Sequence, residues 1–300
     1  MTAAPLVVVG DTLLDVDLEG EVTRSSPENP SAPVVDLTCG RRRPGGAGLA
    51  AVLAAADGAP VRLVTTLADD AEGRWLEATL GRRVELVAGV ATGPTCMKIR
   101  VLDRGRTLMR LDHGCGTTDS ACADMVEGLL GAGAILVADY GRGISRNPAV
   151  VHALRSAVAD IPVVWDPHPR GATPVAGCTV VTPNLPEARG ALHPTPISPS
   201  PMRGGLEAAR LLRARWSAQA AAVTLGAKGT VLALHRDDSR VLRAEPAPGT
   251  ADTCGAGDCF ASTVAAALRR GDGPVTATQA AVSRASTFVK AGGAGALRLA

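Results

Sequence analysis

Short, continuously apolar runs recur along this chain, separated by longer stretches with a helical pattern. That alternation sharply narrows the folds open to it. The runs are Leu6 to Val9, Val61 to Val64, Ala134 to Val137, Ile161 to Trp165, Cys178 to Val181 and Ala221 to Leu225. Strands that are apolar on both sides suit a parallel sheet covered on both faces. The Ala- and Leu-rich stretches Gly46 to Ala56, Ala71 to Leu80, Ser120 to Leu130, Pro148 to Val158 and Met202 to Trp216 supply the helices. The pattern predicts an α/β fold: a doubly wound, mostly parallel sheet with helices on both faces. A length of 300 residues can bury a large core, as one big domain or one domain with a small appendage.

Two segments break the alternation. Residues 16–38 hold short extended pieces, Val16 to Arg24 and Ala32 to Thr38, around a Ser-Pro-Glu-Asn-Pro loop. Residues 95–111 read as a hairpin turning at Asp103, Arg104 and Gly105. In its first arm Met97, Ile99 and Val101 alternate with Lys98, Arg100 and Leu102. Together they predict a small, mostly antiparallel lid sheet inserted in a domain spanning 1–300. Its apolar face has to be hidden, against the active site, a second subunit, or both.

Most of the predicted core strands end in polar or Gly residues: Gly10-Asp11, Thr65-Thr66, Asp139-Tyr140, Asp166-Pro167, Pro183-Asn184 and Gly226. Ligands of open α/β sheets bind beyond the carboxyl ends of the strands, so these endings predict the rim that carries the site. Nearer the C-terminus, after a Pro/Gly-rich loop from Glu245 to Gly249, comes Asp252-Thr253-Cys254-Gly255-Ala256-Gly257-Asp258. It leads into an amphipathic run from Phe260 to Arg270. Backbone N–H groups at a helix start have no intrahelical partner, and the helix dipole adds positive charge there. The glycines let an anion approach the backbone, and Asp258 stands beside it. Such an anion hole with an adjacent carboxylate suits phosphoryl transfer, with the acid taking the proton of the attacking hydroxyl. An ordinary Asp pKa of about 4 would leave Asp258 ionised at neutral pH. A bare Gly-x-Gly-Asp is also an ordinary helix start with an acid in its first turn.

Composition excludes other classes. With 46% apolar residues and a net charge of +2, the chain reads as globular, with no basic patch for nucleic acid. No apolar run reaches membrane-spanning length, and the start lacks a secretory signal, so a cytoplasmic location is expected. Seven cysteines, an odd number without a CxxC pair, suggest neither a disulfide framework nor a zinc site. The five histidines lack ligand spacing and read as incidental. Neither a Walker GxxxxGK[ST] loop nor a GxGxxG is present, so phosphate binding falls to Gly255, Ala256 and Gly257.

Asp252 to Asp258 resembles the C-terminal signature of the ribokinase/PfkB family of carbohydrate kinases. Other pieces occur in the family's order: Gly10 to Asp15, Pro44-Gly45-Gly46-Ala47, Thr182 to Glu187, and Thr224 to Gly229. The resemblance implies that Asp258 is the catalytic base and that the Gly255 to Gly257 amides form the anion hole. It implies an acceptor site at Asp15, Gly45, Gly46 and Asp139, and a nucleotide site at Asn184, Glu187, Thr224, Gly226, Gly229, Asp252 and Thr253. ATP and Mg²⁺ are the implied cofactors, Glu187 acting on the metal through water, with K⁺ as a further activating cation. Within the family, Arg24 to Glu28, Pro33 to Val35, Arg43 to Ala47, Lys98 to Arg100, Arg110 to Asp112 and Asp139 to Gly143 are similar to the kinase domain of bacterial heptose kinase/adenylyltransferases.

That branch phosphorylates D-glycero-D-manno-heptose 7-phosphate at O1 for ADP-heptose synthesis. Leu49 stands where the branch usually has a sugar-contacting Asn. Lys98 and Arg100, two apart on one strand face, are expected to hold the acceptor's phosphate. A homodimer through the lid sheet and a separate downstream adenylyltransferase are further expectations. Ribokinase-, fructokinase- or nucleoside-type kinases are alternatives. So is a non-catalytic sugar- or nucleotide-binding regulator on the same fold.

Overall fold

The computed structural model describes residues 3–119, 121–235, 238–248 and 251–297. Ser120 and Gly249, the ends of two stretches read from the sequence, lie outside them. Thirteen strands occur among the described residues. They are β1 Leu6–Gly10, β2 Thr12–Ser25, β3 Pro33–Gly46, β4 Val61–Leu67, β5 Glu85–Val90, β6 Met97–Asp103, β7 Arg106–His113, β8 Ala134–Ala138, β9 Val163–Asp166, β10 Val180–Val181, β11 Ala220–Thr224, β12 Thr230–Ala233 and β13 Ser239–Leu242. The α-helices are α1 Ala47–Ala56, α2 Ala71–Leu80, α3 Ala123–Glu127, α4 Pro148–Ala157, α5 Leu185–Leu192, α6 Pro201–Arg215, α7 Ala256–Arg269 and α8 Pro274–Lys290.

Nine strands form the main sheet in the order β13-β12-β11-β10-β9-β8-β1-β4-β5. All its pairings are parallel except β11–β12 and β12–β13. The all-apolar strand β1 explains the layering, because its side chains alternate between two cores. Leu6 and Val8 face a layer built from α1, α2, α7 and α8. Val7 and Val9 face one built from α3, α4, α5 and α6. Alanines such as Ala50 and Ala51 of α1 and Ala261 and Ala265 of α7 fill much of the first core, in a chain with few aromatic residues.

β1 lies between β4 and β8, so the chain winds outward from it in both directions. Its carboxyl end is the topological switch point where open α/β sheets bind ligands. Gly10 is required there, since a Cβ would sit 2.0 Å from the Ala138 carbonyl oxygen. The next residue, Asp11, is buried and accepts from the backbone N–H groups of Tyr140, Arg142 and Ile144. It thereby fixes the loop after β8 to the end of β1.

The lid is a separate four-stranded sheet, ordered β3-β2-β6-β7. It is more continuous than the sequence suggested. β2 and β3 pair over their whole length, from Thr12↔Gly46 out to Ser25↔Pro33, so the Pro44 to Gly46 segment is a strand end. The β6–β7 turn is where the sequence placed it, with Arg104 at φ 47° and Gly105 at φ 81°, as a type I′ hairpin requires. Other differences are local. Pro162 carries no N–H, and β9 begins after it, at Val163. The stretch ending at Leu130 is helical only over Ala123–Glu127. β5, β12, β13, α5 and α8 were not marked by the sequence reading. No helix among the described residues is long and apolar enough to cross a membrane.

Candidate active site

α7 starts four residues before the amphipathic run predicted from the sequence, so the glycine signature forms its first turn. Gly255 is its N-cap at φ 77°, a left-handed geometry that glycine adopts without strain. A Cβ there would meet Leu49 Cδ2 at 2.7 Å. Leu49 is therefore packed behind the anion turn with Leu53, Cys259, Phe288 and Ala294. Gly257 has open space where a Cβ would be, which leaves the helix N-terminus accessible to an anion.

Asp258 is buried, and its Oδ1 accepts a 2.7 Å bond from the hydroxyl of Tyr140. Burial pushes its pKa up to about 7, against the pull of the Tyr140 bond and the Lys98 ammonium. The ordinary value expected from the sequence is corrected on this point, because desolvation disfavours the carboxylate. Asp15, in the lid strand β2, is also buried, and its carboxyl is raised by burial despite Arg43, Lys98 and Arg100 nearby. Its carboxyl lies within 3 Å of where a Gly45 Cβ would be, so Gly45 makes room for the acid. Gly46, at φ 59°, similarly leaves room for the Tyr140 ring.

The register brings the basic lid residues to this side. Lys98 of β6 lies beside Asp15 of β2, and Arg100 beside Asp17. The two cations nevertheless have different fates. Lys98 places its ammonium 4.4 Å from the Tyr140 ring centre. It lines a cavity of about 230 Å³ with Tyr140, Arg142, Arg170, His168, Glu187 and the ion pair Arg110–Asp112. Arg100 is absent from that lining. Its Nε bonds Asp17 at 2.9 Å, and Arg43 bonds the same carboxylate at 2.5 Å. Burial would raise Asp17, but the two guanidinium groups hold its carboxyl below the usual range. Arg100 is thus a clamp within the lid, which also reaches to 4.0 Å from Asp252 on the anion loop.

Asp139, expected to touch substrate, is committed elsewhere. Its carboxylate accepts from Gly141 N–H, Ala172 N–H and Ser145 Oγ. It shapes the rim by joining two loops. Asn184 and Glu187 form a capping box on α5: Asn184 accepts from the Glu187 N–H, and Glu187 from the Asn184 N–H, both at 2.9 Å. A β-bridge joins Asn184 to Thr224, which places the start of α5 beside the Gly226–Lys228 turn. Gly226 has φ 59° and open space around it. Gly229 has φ 94°, and a Cβ there would strike the Leu242 carbonyl oxygen at 2.0 Å. Asp252 Oδ1 accepts from Cys254 N–H, and the Thr253 carbonyl accepts from Ala256 N–H, bracing the anion turn.

No group of three potential metal ligands occurs among the described residues. Asp166, at the end of β9, is pushed well up by burial, then by Glu187, with a smaller push from Asp258. Burial likewise raises Glu187. Asp166 and Glu187 are two neighbouring carboxyl groups, raised by burial and Asp166 also by Glu187, of a kind that fits Mg²⁺ carried in on phosphates. Mg²⁺ commonly uses one or two carboxylates plus waters in such sites.

The sequence reading missed Tyr140, Asp166, Arg142 and Arg170 as site residues and set His168 aside. Their signal was position alone: each lies at or just past a strand ending on the rim. The near-neutral net charge hid the local cluster of cations in the cavity.

The pfkB family carbohydrate kinase pattern matches residues 3–299. The bifunctional protein HldE of Streptomyces coelicolor is 43% identical over 300 residues, covering 98% of this chain and 62% of that protein. HldE of Nitrosococcus oceani is 33% identical over 280 residues, covering 90% of the chain and 57% of that protein. The chain thus spans about three-fifths of the length of these relatives. Among solved structures, Arabidopsis thaliana ribokinase complexed with ribose and ATP superposes with a TM-score of 0.75 at 22% identity, covering 96% of this chain and 93% of that one. The order of the motifs, the ribokinase-like sheet with its lid, and the similarity to the kinase part of HldE converge: the chain belongs to the pfkB family of carbohydrate kinases, ATP-dependent enzymes.

Proposed function

We propose that the chain transfers the γ-phosphate of ATP to O1 of D-glycero-D-manno-heptose 7-phosphate. The observation that carries this reading is the cation-lined cavity walled in part by Tyr140, whose hydroxyl bonds Asp258. A kinase for a neutral sugar needs a base and an anion hole. It does not need Lys98, Arg142 and Arg170 around one chamber, beside an Arg110 that is already paired with Asp112. Guanidinium and ammonium groups suit a phosphate on the acceptor. The cavity supports Lys98 in the role foreseen for it and replaces Arg100 with Arg142 and Arg170. The similarity to HldE over nearly the whole chain supports the heptose.

In this reading Asp15 accepts from sugar hydroxyls, while Gly45 and Gly46 let the ring lie close to the backbone. Asp258 takes the proton of the attacking hydroxyl as its oxygen bonds to phosphorus. The amides of Gly255 to Gly257 meet the charge on the moving phosphoryl group. Asn184, Glu187, Thr224, Gly226, Gly229, Asp252 and Thr253 frame the nucleotide. Mg²⁺, near Glu187 and Asp166, supplies charge neutralisation on the phosphates, and K⁺ is the further activator. The enzyme works in the cytoplasm, as a homodimer, and an adenylyltransferase consumes its product.

A panel of free and phosphorylated sugars with ATP and Mg²⁺ tests the reading. Phosphosugars should outcompete their free counterparts, and Lys98→Ala should erase the advantage. Preference for free ribose or fructose would move the chain to another kinase of the family. No turnover with any sugar, but binding of one, would favour a regulator.

A further inference from the structure

We infer that Tyr140 is a positioning residue for the proton acceptor: its hydroxyl engages Oδ1 of Asp258 and leaves Oδ2 to receive the proton of the attacking sugar hydroxyl. The inference rests on the kinase reading of Asp258 and adds a residue that reading does not use. Tyr140 is the single tyrosine of the chain, and its hydroxyl lies 2.7 Å from Asp258 Oδ1. Burial and then the Asp258 charge push the phenol well above its ordinary value, so it stays the donor throughout the working range. A carboxylate can only accept.

The ring is held from several sides. The Tyr140 N–H donates to Asp11 Oδ2 at 3.0 Å. His168 stacks on the ring with centroids 6.2 Å apart. Gly46 leaves the space the ring edge needs. Lys98 Nζ lies 4.4 Å from the ring centre, where an ammonium is attracted to the π face and polarises the phenol toward donation. The charged groups acting on Asp258 are Lys98 from β6, Asp15 from β2 and Asp166 from the end of β9, besides Tyr140. Among them Tyr140 alone bonds it directly. In the step itself the sugar oxygen bonds to the γ-phosphorus as its proton passes to Oδ2. The bond from that phosphorus to the bridging oxygen breaks, and ADP leaves with the electron pair.

A hydrogen bond to an ionised carboxylate favours its charged form. Removing it in Tyr140→Phe should raise the apparent pKa of Asp258 by roughly one unit or more, given the strength of hydrogen bonds to charged groups. Fluorotyrosine supplies the opposite change without a mutation. Because there is one tyrosine, growth on 3-fluorotyrosine alters only this phenol, making it a stronger donor that should lower the same pKa. The carboxyl is titrated in the free enzyme by the ¹³Cγ shift of labelled Asp, assigned by its loss in Asp258→Asn. The acidic limb of the pH–rate profile is then followed with the best phosphosugar. Opposite displacements for phenylalanine and fluorotyrosine support the assignment. A limb and a titration that move in neither protein overturn it, as does an equal loss of rate at every pH. A titration that moves while no sugar is phosphorylated supports the Tyr140 contact and counts against the acceptor reading alone.

Discussion

Asp258, the proposed base, sits in an environment that works against its charge. Its pKa of about 7 means that kcat/KM should rise with pH through neutrality, since the base must be unprotonated. A profile flat from pH 5 to 8 would contradict that. Asp258→Asn should lose turnover by roughly 10²–10⁴-fold, the usual contribution of a positioned base. The same shift predicts a stability effect of the opposite sense. The folded pKa lies above the unfolded one, so the folded state binds the extra proton between about pH 4 and 7. The resulting stabilisation is complete below the unfolded pKa and is lost as pH rises through 7. In thermal melts the Asn variant should therefore gain on the wild type as pH rises from 4 to 8. A constant difference over that range would show that the carboxyl is not desolvated. Asp17 is the contrasting case, a buried acid shared by Arg43 and Arg100. Asp17→Asn strands two cations in the lid, and removing one partner of a buried ion pair costs about 3–5 kcal/mol. Because its folded pKa is depressed, its contribution is present above the unfolded value and fades as pH falls through the lowered one. Urea unfolding of the variant should show the deficit at pH 7 and a smaller one at pH 3.

Elements whose function depends on one strand end or one helix turn were the most legible in the sequence. β1, β4 and β8 follow apolar runs bounded by polar residues, α2 follows an Ala- and Leu-rich helical stretch, and the anion turn at Gly255 was evident because glycine and Asp stand at a helix start. α8 escaped because most of its buried positions are small or polar, such as Ala277, Ala281, Thr278 and Ser286, which leaves little periodic contrast. β12 and β13 escaped because each is four residues long. Arg100 was misjudged for a different reason. Strand alternation correctly put it on the same face as Lys98, but nothing local revealed that Asp17, on a strand far away in sequence, would claim it. α5 shows how one segment carries two duties. Asn184-x-x-Glu187 is a capping box as well as a proposed metal-side pair, so a simple truncation confuses fold with function. Glu187→Gln retains an acceptor for the Asn184 N–H and removes the charge. It should leave the melting temperature nearly unchanged while raising the Mg²⁺ concentration needed for half-maximal rate. Glu187→Ala should add a capping loss of about 1 kcal/mol. An unchanged Mg²⁺ requirement in the Gln variant would assign Glu187 to the cap alone.

The molecule is asymmetric about its lid. One face of that sheet carries Asp15, Asp17, Arg43, Lys98 and Arg100, and is spent on the site and its clamp. At its root the opposite face is covered: Leu14 joins the main core, and Arg42 lies over the Trp75 ring of α2 at 4.5 Å. Farther out, Leu18 and Val101 pair across β2 and β6, and Ile99 and Val101 face Leu111 and Met109 across β6 and β7. There the lid presents apolar side chains to solvent, with Leu37 56%, Met109 52% and Leu111 45% exposed. A thin sheet cannot bury both faces within one chain, and an apolar face of this kind marks an interaction surface. A second copy is the simplest partner, since a two-fold axis lets the same patch cover itself. The pairing would also stiffen β6, which carries Lys98 over Tyr140, so assembly and chemistry should be linked. Light scattering at micromolar concentration should give twice the chain mass of 30.4 kDa. Met109→Glu with Leu111→Lys places charges in the patch, on the sheet face opposite Lys98, and should yield monomers with a raised KM for the phosphosugar. A wild-type monomer would refute the lid interface. Monomeric variants with unaltered kinetics would separate assembly from the site.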